Sequence, residues 1–346
     1  MGKRSARIFL CEKDHKDVFF DGHYHDKIYM ADDHGNITLV WEKIRDNRFV
    51  FTVNPASALI LSVWGEVSID WGDGNGNKVD NNGKPLKYQY GASDKKYRVQ
   101  ITGDLKNIKF NWGNGMNGAL SEVLTILPYS VRNTEDFSEI FSGCTNLEYI
   151  PEKIFHNCVR STSFRNAFWA CRGLRSIPEK LFAGCPNVED FGGVFIRCRG
   201  LENIPEKLFA NCAKVKTFNN AFQHCNFSTI PEGLFARCPD VEDFSGLFFG
   251  CENPVTVPEG LFAGCPMAKD FSTLFALGGL EVIPERLFAG CPDASNFASA
   301  FENCQNIKGR VPELWVSHSQ AEKHSRCFFG CTKAENYESI PDGWKY

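Results

Sequence analysis

The feature that most constrains this chain is a nine-residue segment that recurs along it. The stretch IPEKLFAGC at residues 177–185 has near-copies that begin at residues 150, 204, 230, 257 and 283. The prolines of the pattern stand at residues 151, 178, 205, 231, 258, 284 and 312. A fixed period of about 27 residues is typical of stacked structural repeats. The sequence therefore predicts an array of about seven coils.

Each period contains two half-repeats, and each half-repeat has an apolar pair followed by F-x-x-C. If successive coils stack in register, the aromatic positions form three ladders in a continuous core. These ladders use 20 of the 30 phenylalanines, which predicts that the aromatic excess is core packing. The ladders are Phe155, Phe182, Phe209, Phe235, Phe262, Phe288 and then Trp315; Phe141, Phe168, Phe195, Phe222, Phe248, Phe275 and Phe301; and Phe137, Phe164, Phe191, Phe218, Phe244, Phe271 and Phe297.

The Ile-Pro-Glu junction predicts the local structure of each coil. Proline is tolerated at the first position of a helix, and a glutamate in the first turn favours the helix N-terminus. We therefore expect P-E-x-L-F-x-x-C to form one or two helical turns and the second F-x-x-C to form another. L-x-x-I and V-x-x-F are predicted to be short extended segments. The expected fold class is an α/β solenoid preceded by a small all-β sandwich.

Composition excludes several classes of partner. The chain has 346 residues and a formal net charge of −4, so no general basic field points to nucleic acid. No run of about 18 apolar residues occurs, so the sequence predicts no membrane insertion. The first residues show a basic beginning without a long apolar stretch, and we predict no signal peptide.

The cysteines follow the repeat. Of the 15 cysteines, ten recur at a nearly constant half-period, at residues 144, 158, 171, 185, 198, 212, 225, 238, 251 and 265, and no C-x-x-C pair occurs. A periodic cysteine behaves as a small buried hydrophobe. We predict free, reduced, structural thiols, with disulfides or a metal as the alternatives, and no cofactor.

Residues 1–46 form the first predicted domain, a short β-rich module. Strand-like runs at residues 7–11, 18–20, 27–30 and 37–41 are separated by turn residues. The stretch DKIYMADDHGNITLVWEKI resembles the N-terminal modules of phage-tail and prophage-encoded proteins. That resemblance implies a tail component that could form oligomers through its N-terminal modules.

Residues 47–114 form the second predicted domain, a β-sandwich with strands near residues 49–53, 59–63, 67–71, 97–101 and 108–112. The turn Trp71-Gly72-Asp73-Gly74, followed by Tyr90 and YRVQI at residues 97–101, resembles the polycystic-kidney-disease-type (PKD) domain. That family implies an immunoglobulin-like spacer or adhesion module. The loop after the turn also imitates the start of a calcium loop, but Lys78 and Lys84 stand where glycine and glutamate are needed, so a hairpin loop is predicted.

Residues 115–346 form the third predicted domain, the array with a C-terminal cap. Its units F-x-x-C-x-x-L-x-x-I-P, as in residues 168–178 and 195–205, resemble the BspA-like leucine-rich-repeat family of bacterial surface and prophage-associated proteins. The resemblance implies a leucine-rich-repeat fold, a role in adhesion or protein binding, and a bacterial cell surface or phage particle as the location. Without a visible signal peptide, the sequence leaves the location undetermined.

No motif of a known catalytic class occurs, and His156, His224 and His318 fall at positions expected to face solvent. We therefore predict a non-enzymatic protein- or glycan-binding adhesion protein. The alternative is a structural or receptor-binding component of a phage or prophage tail, and the third class is an enzyme with an unrecognised site.

The candidate binding residues are those between the apolar rungs of V-x-x-F, which the core leaves free. The pairs Glu189-Asp190 and Glu242-Asp243 lie two coils apart, roughly 10 Å at a strand spacing of about 4.8 Å, and suit a basic partner. The alternative is that these carboxylates only keep the array soluble. The full candidate set is Glu189, Asp190, Lys216, Glu242, Asp243, Lys269 and Asp270.

Overall fold

A computed structural model describes residues 48–110 and 116–346 in full, and in residues 1–47 it describes only the backbone of four short strands. The chain divides into two compact units, Met1–Asp46 and Asn47–Tyr346. Among the residues described, no helix has the length and apolar character needed to cross a membrane.

The first unit contains two antiparallel strand pairs. Strand β1 (Phe19–Phe20) pairs with β2 (His23–Tyr24), and β3 (Lys27–Ala31) pairs with β4 (Ile37–Glu42). Three of the predicted strand runs are therefore confirmed, and the run at residues 7–11 lies outside the described residues. The phage-tail resemblance stays a prediction.

The second unit begins with eight strands in two antiparallel sheets. Their bounds are β5 Phe49–Val53, β6 Leu59–Trp64, β7 Val67–Asp70, β8 Gly76–Val79, β9 Pro85–Tyr88, β10 Tyr97–Gly103, β11 Asn107–Lys109 and β12 Leu120–Val123. A five-stranded sheet has the order β12-β5-β10-β7-β8, and a three-stranded sheet has the order β11-β6-β9.

The sheets bury an aromatic core. The ring of Trp71 is almost fully buried and stacks on Tyr88 at 4.1 Å, and the Tyr88 hydroxyl donates a hydrogen bond to Asp73 across 2.7 Å. Asp73 also accepts a hydrogen bond from the Asn75 amide, so the predicted hairpin loop is confirmed. The five predicted strands are present, although residues 111 and 112 of the last predicted run lie outside the described residues. Strands β8, β9 and β12 were not predicted. The likeness to a PKD domain stays a prediction.

The repeats are joined by single-residue parallel bridges in the V-x-x-F segments. The bridged residues are Asp136, Ser163, Asp190, Thr217, Asp243, Asp270, Asn296 and Lys323, each paired with the next. The extended segments are thus present, although each is shorter than a regular strand. On the L-x-x-I side, the structure has bridges between Glu122 and Tyr149 and between Thr229 and Thr256.

The prediction of helical turns in the repeats is wrong. In the segment that begins at Pro178, the Leu181 amide donates to the Pro178 carbonyl across 3.1 Å, and the Cys185 amide donates to the Phe182 carbonyl across 3.0 Å. These isolated bonds each span three residues and form turns, because the short half-repeat leaves too little length for a helix. Proline fits here because its carbonyl accepts a bond and its missing N–H is not needed. Among described residues, the helices are α1 Tyr129–Arg132, α2 Leu314–Ser317, the 3₁₀-helix Tyr337–Ser339 and α3 Asp342–Lys345.

The three phenylalanine ladders are confirmed. All 20 predicted rings are buried, and successive rings stack at distances such as 5.9 Å for Phe182–Phe209 and 5.4 Å for Phe168–Phe195. The second ladder extends beyond its predicted ends, because Phe110 stacks on Phe141 at 5.6 Å and Phe328 stacks on Phe301 at 5.5 Å.

The prediction that Trp315 follows Phe288 in the first ladder is wrong. Trp315 contacts Phe328, whereas His318 lies beside Phe288 at 6.4 Å and beside Phe297 at 5.3 Å. His318 is therefore half-buried, and burial lowers its pKa. The expectation that it faces solvent is wrong, because the segment after residue 312 departs from the repeat and brings a later residue to the rung.

The cysteines of the array are buried and free, as predicted. Most of their thiols donate to a phenylalanine carbonyl of the preceding repeat: Cys198 reaches Phe168 across 3.0 Å, and Cys304 reaches Phe275 across 3.0 Å. Burial raises the pKa of thiols such as those of Cys251 and Cys304 to about 12. The neutral thiols thus fill small spaces, and those that donate a hydrogen bond also satisfy a carbonyl.

Strand β12 belongs to two structures at once. Val123 pairs with Phe51 in the five-stranded sheet, and the Val123 amide donates to the Tyr149 carbonyl of the first repeat across 2.9 Å. The first repeat thus meets the preceding sheets directly through β12. The boundary between residues 114 and 115 stays a prediction.

Candidate binding surface

The candidate residues lie on one continuous surface, which we call the pair ladder. It consists of the two residues between the apolar positions of each V-x-x-F segment, and the parallel bridges place the pairs of successive repeats side by side. The first member is exposed in Glu189, Lys216, Glu242 and Lys269. The pairs are residues 135–136, 162–163, 189–190, 216–217, 242–243, 269–270, 295–296 and 322–323.

The second member of nearly every pair closes a turn. Its side-chain oxygen accepts a hydrogen bond from the amide two residues later: Asp190 from Gly192 across 2.6 Å, Asp243 from Ser245 across 2.8 Å. Short side chains with an oxygen at this position offer the backbone such a local partner. The residues with this bond are Asp136, Ser163, Asp190, Thr217, Asp243, Asp270 and Asn296.

In Asp190, Asp243 and Asp270 the second carboxylate oxygen is also bonded. Asp190 Oδ2 lies 3.2 Å from the Arg165 guanidinium, Asp243 Oδ2 accepts from the Thr217 hydroxyl across 3.0 Å, and Asp270 Oδ2 accepts from Asn296 across 2.8 Å. The three aspartates of the candidate set are therefore held by the array itself.

A comparison with known families identifies the repeat. Residues 124–269 match the family model of the BspA type leucine rich repeat region, in six copies. Residues 124–269 are repeats of the BspA leucine-rich-repeat type. This family indicates a repeat-based role in protein binding or adhesion. No curated protein matches the chain.

The BspA-type pattern continues in the structure past the matched residues. Asp270 bridges Asn296, and Asn296 bridges Lys323. Phe275 stacks on Phe301 at 5.9 Å. The same bridges and rings are therefore present beyond residue 269.

The first members of the pairs are charged in several repeats, and the sign of the charge differs between repeats. Lys269 Nζ lies 3.3 Å from Glu242 on the neighbouring repeat, and Lys216 Nζ lies 3.2 Å from Asp240. These ion pairs are about half exposed, and such pairs contribute little to stability. Among the described residues, the Glu189 carboxylate has no ion-pair or hydrogen-bond partner.

One depression of the described surface, about 500 Å³, is open to solvent. It lies on β7, β8 and β10 and is lined by residues that include Ser68, Asn77 and Thr102. Within residues 48–110 and 116–346, no three His, Cys, Asp or Glu side chains are grouped so that they could hold a metal ion.

The turn-closing role of the second residue in each pair was not predicted, although the sequence indicates it. The second position is Asp, Ser, Thr or Asn in seven successive repeats, and these are the residues that close such turns. Of the three histidines, His156 is exposed as predicted, whereas His224 is half-buried beside Gly250.

Proposed function

We propose that this chain is a non-enzymatic binding protein whose repeats wind as a leucine-rich-repeat solenoid of about seven coils and bind a protein or glycan partner along the pair ladder. The observation that carries the proposal is the first member of the pairs, which is exposed in every pair except at Ser295 and changes from repeat to repeat. The phenylalanine that follows each pair is buried and constant from Phe137 to Phe297. Extended repeat surfaces are the usual binding sites of such arrays.

The candidate contacts are Glu189, Lys216, Glu242 and Lys269, with Asp190, Asp243 and Asp270 behind them. Because the aspartates are bonded within the array, the proposed contact with a partner is made mainly by the first members. Glu189 is the strongest of these, since its carboxylate is exposed and would lose no internal bond on binding. A partner with basic groups suits this part of the ladder.

The test uses a variant that removes charge and keeps the turns. Glu189→Gln, Asp190→Asn, Glu242→Gln and Asp243→Asn together remove four charges, and asparagine retains the turn-closing oxygen, as Asn296 shows. The matched control is Glu179→Gln, Glu206→Gln, Glu259→Gln and Glu285→Gln, four exposed residues outside the pair ladder.

Both variants of the full chain would be compared with the parent on immobilised basic peptides and on a glycan array. We expect the pair-ladder variant to lose the strongest signals and the control to retain them. Both variants should stay folded, with only a small decrease in melting temperature for the pair-ladder variant. Equal retention by the two variants would remove the pair ladder from the binding surface.

A further inference from the structure

A second surface of the array carries three arginines without partners. Arg172, Arg197 and Arg199 are exposed, and among the described residues none of their guanidinium groups has an ion pair or a hydrogen bond. Other arginines of the same repeats are paired: Arg165 with Asp190 at 3.2 Å and Arg175 with Glu202 at 3.7 Å. The repeat therefore supplies carboxylates to some arginines and leaves these three unpaired.

The three arginines lie on two neighbouring repeats. Arg172 and Arg199 follow the equivalent cysteines Cys171 and Cys198, whose repeats stack with the preceding phenylalanine rings 5.4 Å apart. Arg197 lies two residues before Arg199. The backbones are joined here by a bond from the Ala170 amide to the Ile196 carbonyl across 2.7 Å. The guanidinium groups thus extend from backbone positions about one strand spacing apart.

Two apolar side chains lie beside them. Trp169 and Ile196 occupy the first variable position of F-x-x-C in the same two repeats, and both are only half-buried. Gly193 leaves room for Ile196, because a Cβ at Gly193 would stand 2.8 Å from the Ile196 Cδ1. An indole and a branched aliphatic side chain therefore occupy backbone positions next to those of the arginines.

The equivalent positions of the adjacent repeats carry no charge that would neutralise the arginines. The preceding repeat has Ser142, Gly143 and Thr145, and the following repeat has Gln223, His224 and Asn226. The first carboxylate in these positions is Glu252, two repeats after Arg199. In a chain with a net charge of −4, this is a local concentration of positive charge.

We propose that Trp169, Arg172, Ile196, Arg197 and Arg199, which we call the arginine surface, bind an acidic, extended polypeptide segment. Guanidinium groups bind carboxylates through paired hydrogen bonds, and arginine and tryptophan dominate the energetics of many interfaces. Ile196 beside Trp169 provides contact for an aliphatic side chain of the partner. A platform of two aromatic rings, which would suit stacking on sugar rings, is absent from these two repeats as described. The arginine surface is opposite in charge to Glu189 and Glu242, so the acidic partner proposed for it differs in charge from the basic partner proposed for that part of the pair ladder.

The experiment measures fluorescence anisotropy of a labelled peptide of Glu and Asp with one central Leu, titrated with the full chain. The test variant is Arg172→Gln, Arg197→Gln and Arg199→Gln. The matched control is Lys180→Gln, Arg237→Gln and Arg286→Gln, three exposed basic residues of the other half-repeat. We expect the test variant to bind at least about tenfold more weakly and the control to differ by less than about twofold, with affinity falling as salt rises.

A third variant, Ile196→Ser, checks the apolar contact and should weaken the Leu-containing peptide more than a peptide with Ser in its place. Equal losses in the arginine variant and the control would overturn the proposal, because only general charge would then act. Tighter binding of a sulfated oligosaccharide than of the peptide, lost in the arginine variant, would overturn it in favour of a glycan partner. None of these variants changes a residue of the pair ladder. A negative result for the arginine surface therefore does not affect the test of the function proposed for the pair ladder.

Discussion

The Thr217 hydroxyl donates a hydrogen bond to Asp243 Oδ2 on the neighbouring repeat across 3.0 Å. The other oxygen of the same carboxylate accepts from the Ser245 amide. Asp243 therefore joins two repeats and closes a turn at the same time. It is held in the position where sequence reasoning expected a residue free to meet a ligand.

Replacement of Asp243 should therefore reduce stability. We expect Asp243→Ala to cost about 1–2 kcal/mol, because the Ser245 amide and the Thr217 hydroxyl both lose their acceptor. Asp243→Asn retains the turn and should cost less. Chemical denaturation measures both, with Glu242→Ala as the exposed control, expected to cost under about 0.5 kcal/mol. Similar losses at residues 242 and 243 would contradict the structural role.

Phe209 tests the packed core of the array. Its ring is buried and stacks on Phe182 at 5.9 Å and on Phe235 at 6.1 Å. Phe209→Ala should reduce the free energy of unfolding by about 3–5 kcal/mol, because it leaves a cavity between two stacked rings. Lys207→Ala, exposed in the same repeat, should cost under about 0.5 kcal/mol. Equal denaturation midpoints for the two variants would refute the assignment of inward and outward positions.

The buried thiols should resist modification in the native state. Fourteen cysteines from Cys144 to Cys331 are buried and free. Reaction with an aromatic disulfide reagent at neutral pH should therefore be slow for the folded chain and rapid after denaturation without reductant. Recovery of half or more of these cysteines as disulfides would contradict this and indicate an oxidising compartment.

The same thiols should make the array sensitive to alkaline pH. Burial raises the pKa of Cys238, Cys251, Cys291 and Cys304 to about 12, whereas an unfolded cysteine titrates near about 8.5. Above that lower value the unfolded chain loses protons that the folded chain keeps. The contribution of these neutral thiols to the free energy of unfolding is therefore fully present below about pH 8.5 and is lost as the pH rises towards about 12.

Chemical denaturation across this range measures the slope of stability against pH. Cys251→Ala, which removes one such thiol, should reduce the slope by about 1 kcal/mol per pH unit near pH 10. Other groups that titrate there are the same in parent and variant. An unchanged slope would show that Cys251 ionises equally in both states.

The ladders could be predicted from the sequence because a nearly constant period places identical residues at identical heights. The repeat period alone was enough to predict that Phe209 and Cys212 lie in the core. The turn at Pro178 was mistaken for a helix because proline followed by glutamate suits either structure, and only the length of the half-repeat decides between them. The position of His318 could not be predicted, because the segment after residue 312 does not keep the residue spacing of the repeat.

The sheet domain shows a different limit. The strand at residues 49–53 is rich in β-branched and aromatic residues and was predicted with its observed bounds. Strands β8 and β9 contain Gly76, Asn77, Lys78 and Pro85, so their composition is that of a loop, and only pairing with β7 and β6 makes them strands. At the candidate surface, the order of the pairs was predictable, but the bonding of their carboxylates depends on neighbours one full repeat away along the chain.

Strand β12 gives the array a fixed origin. Repeats that are nearly identical can shift by one whole repeat and still form the same hydrogen bonds. In an isolated array, several alignments of the chain would therefore be close in energy. Pairing of Leu120 with Val53 and stacking of Phe110 on Phe141 tie the first repeat to a structure that does not repeat. The sheets therefore act as the template on which the first repeat aligns, and each later repeat inherits its position from the one before it. We expect growth of the folded array to proceed from this end, and misalignment to appear first where the template has been removed.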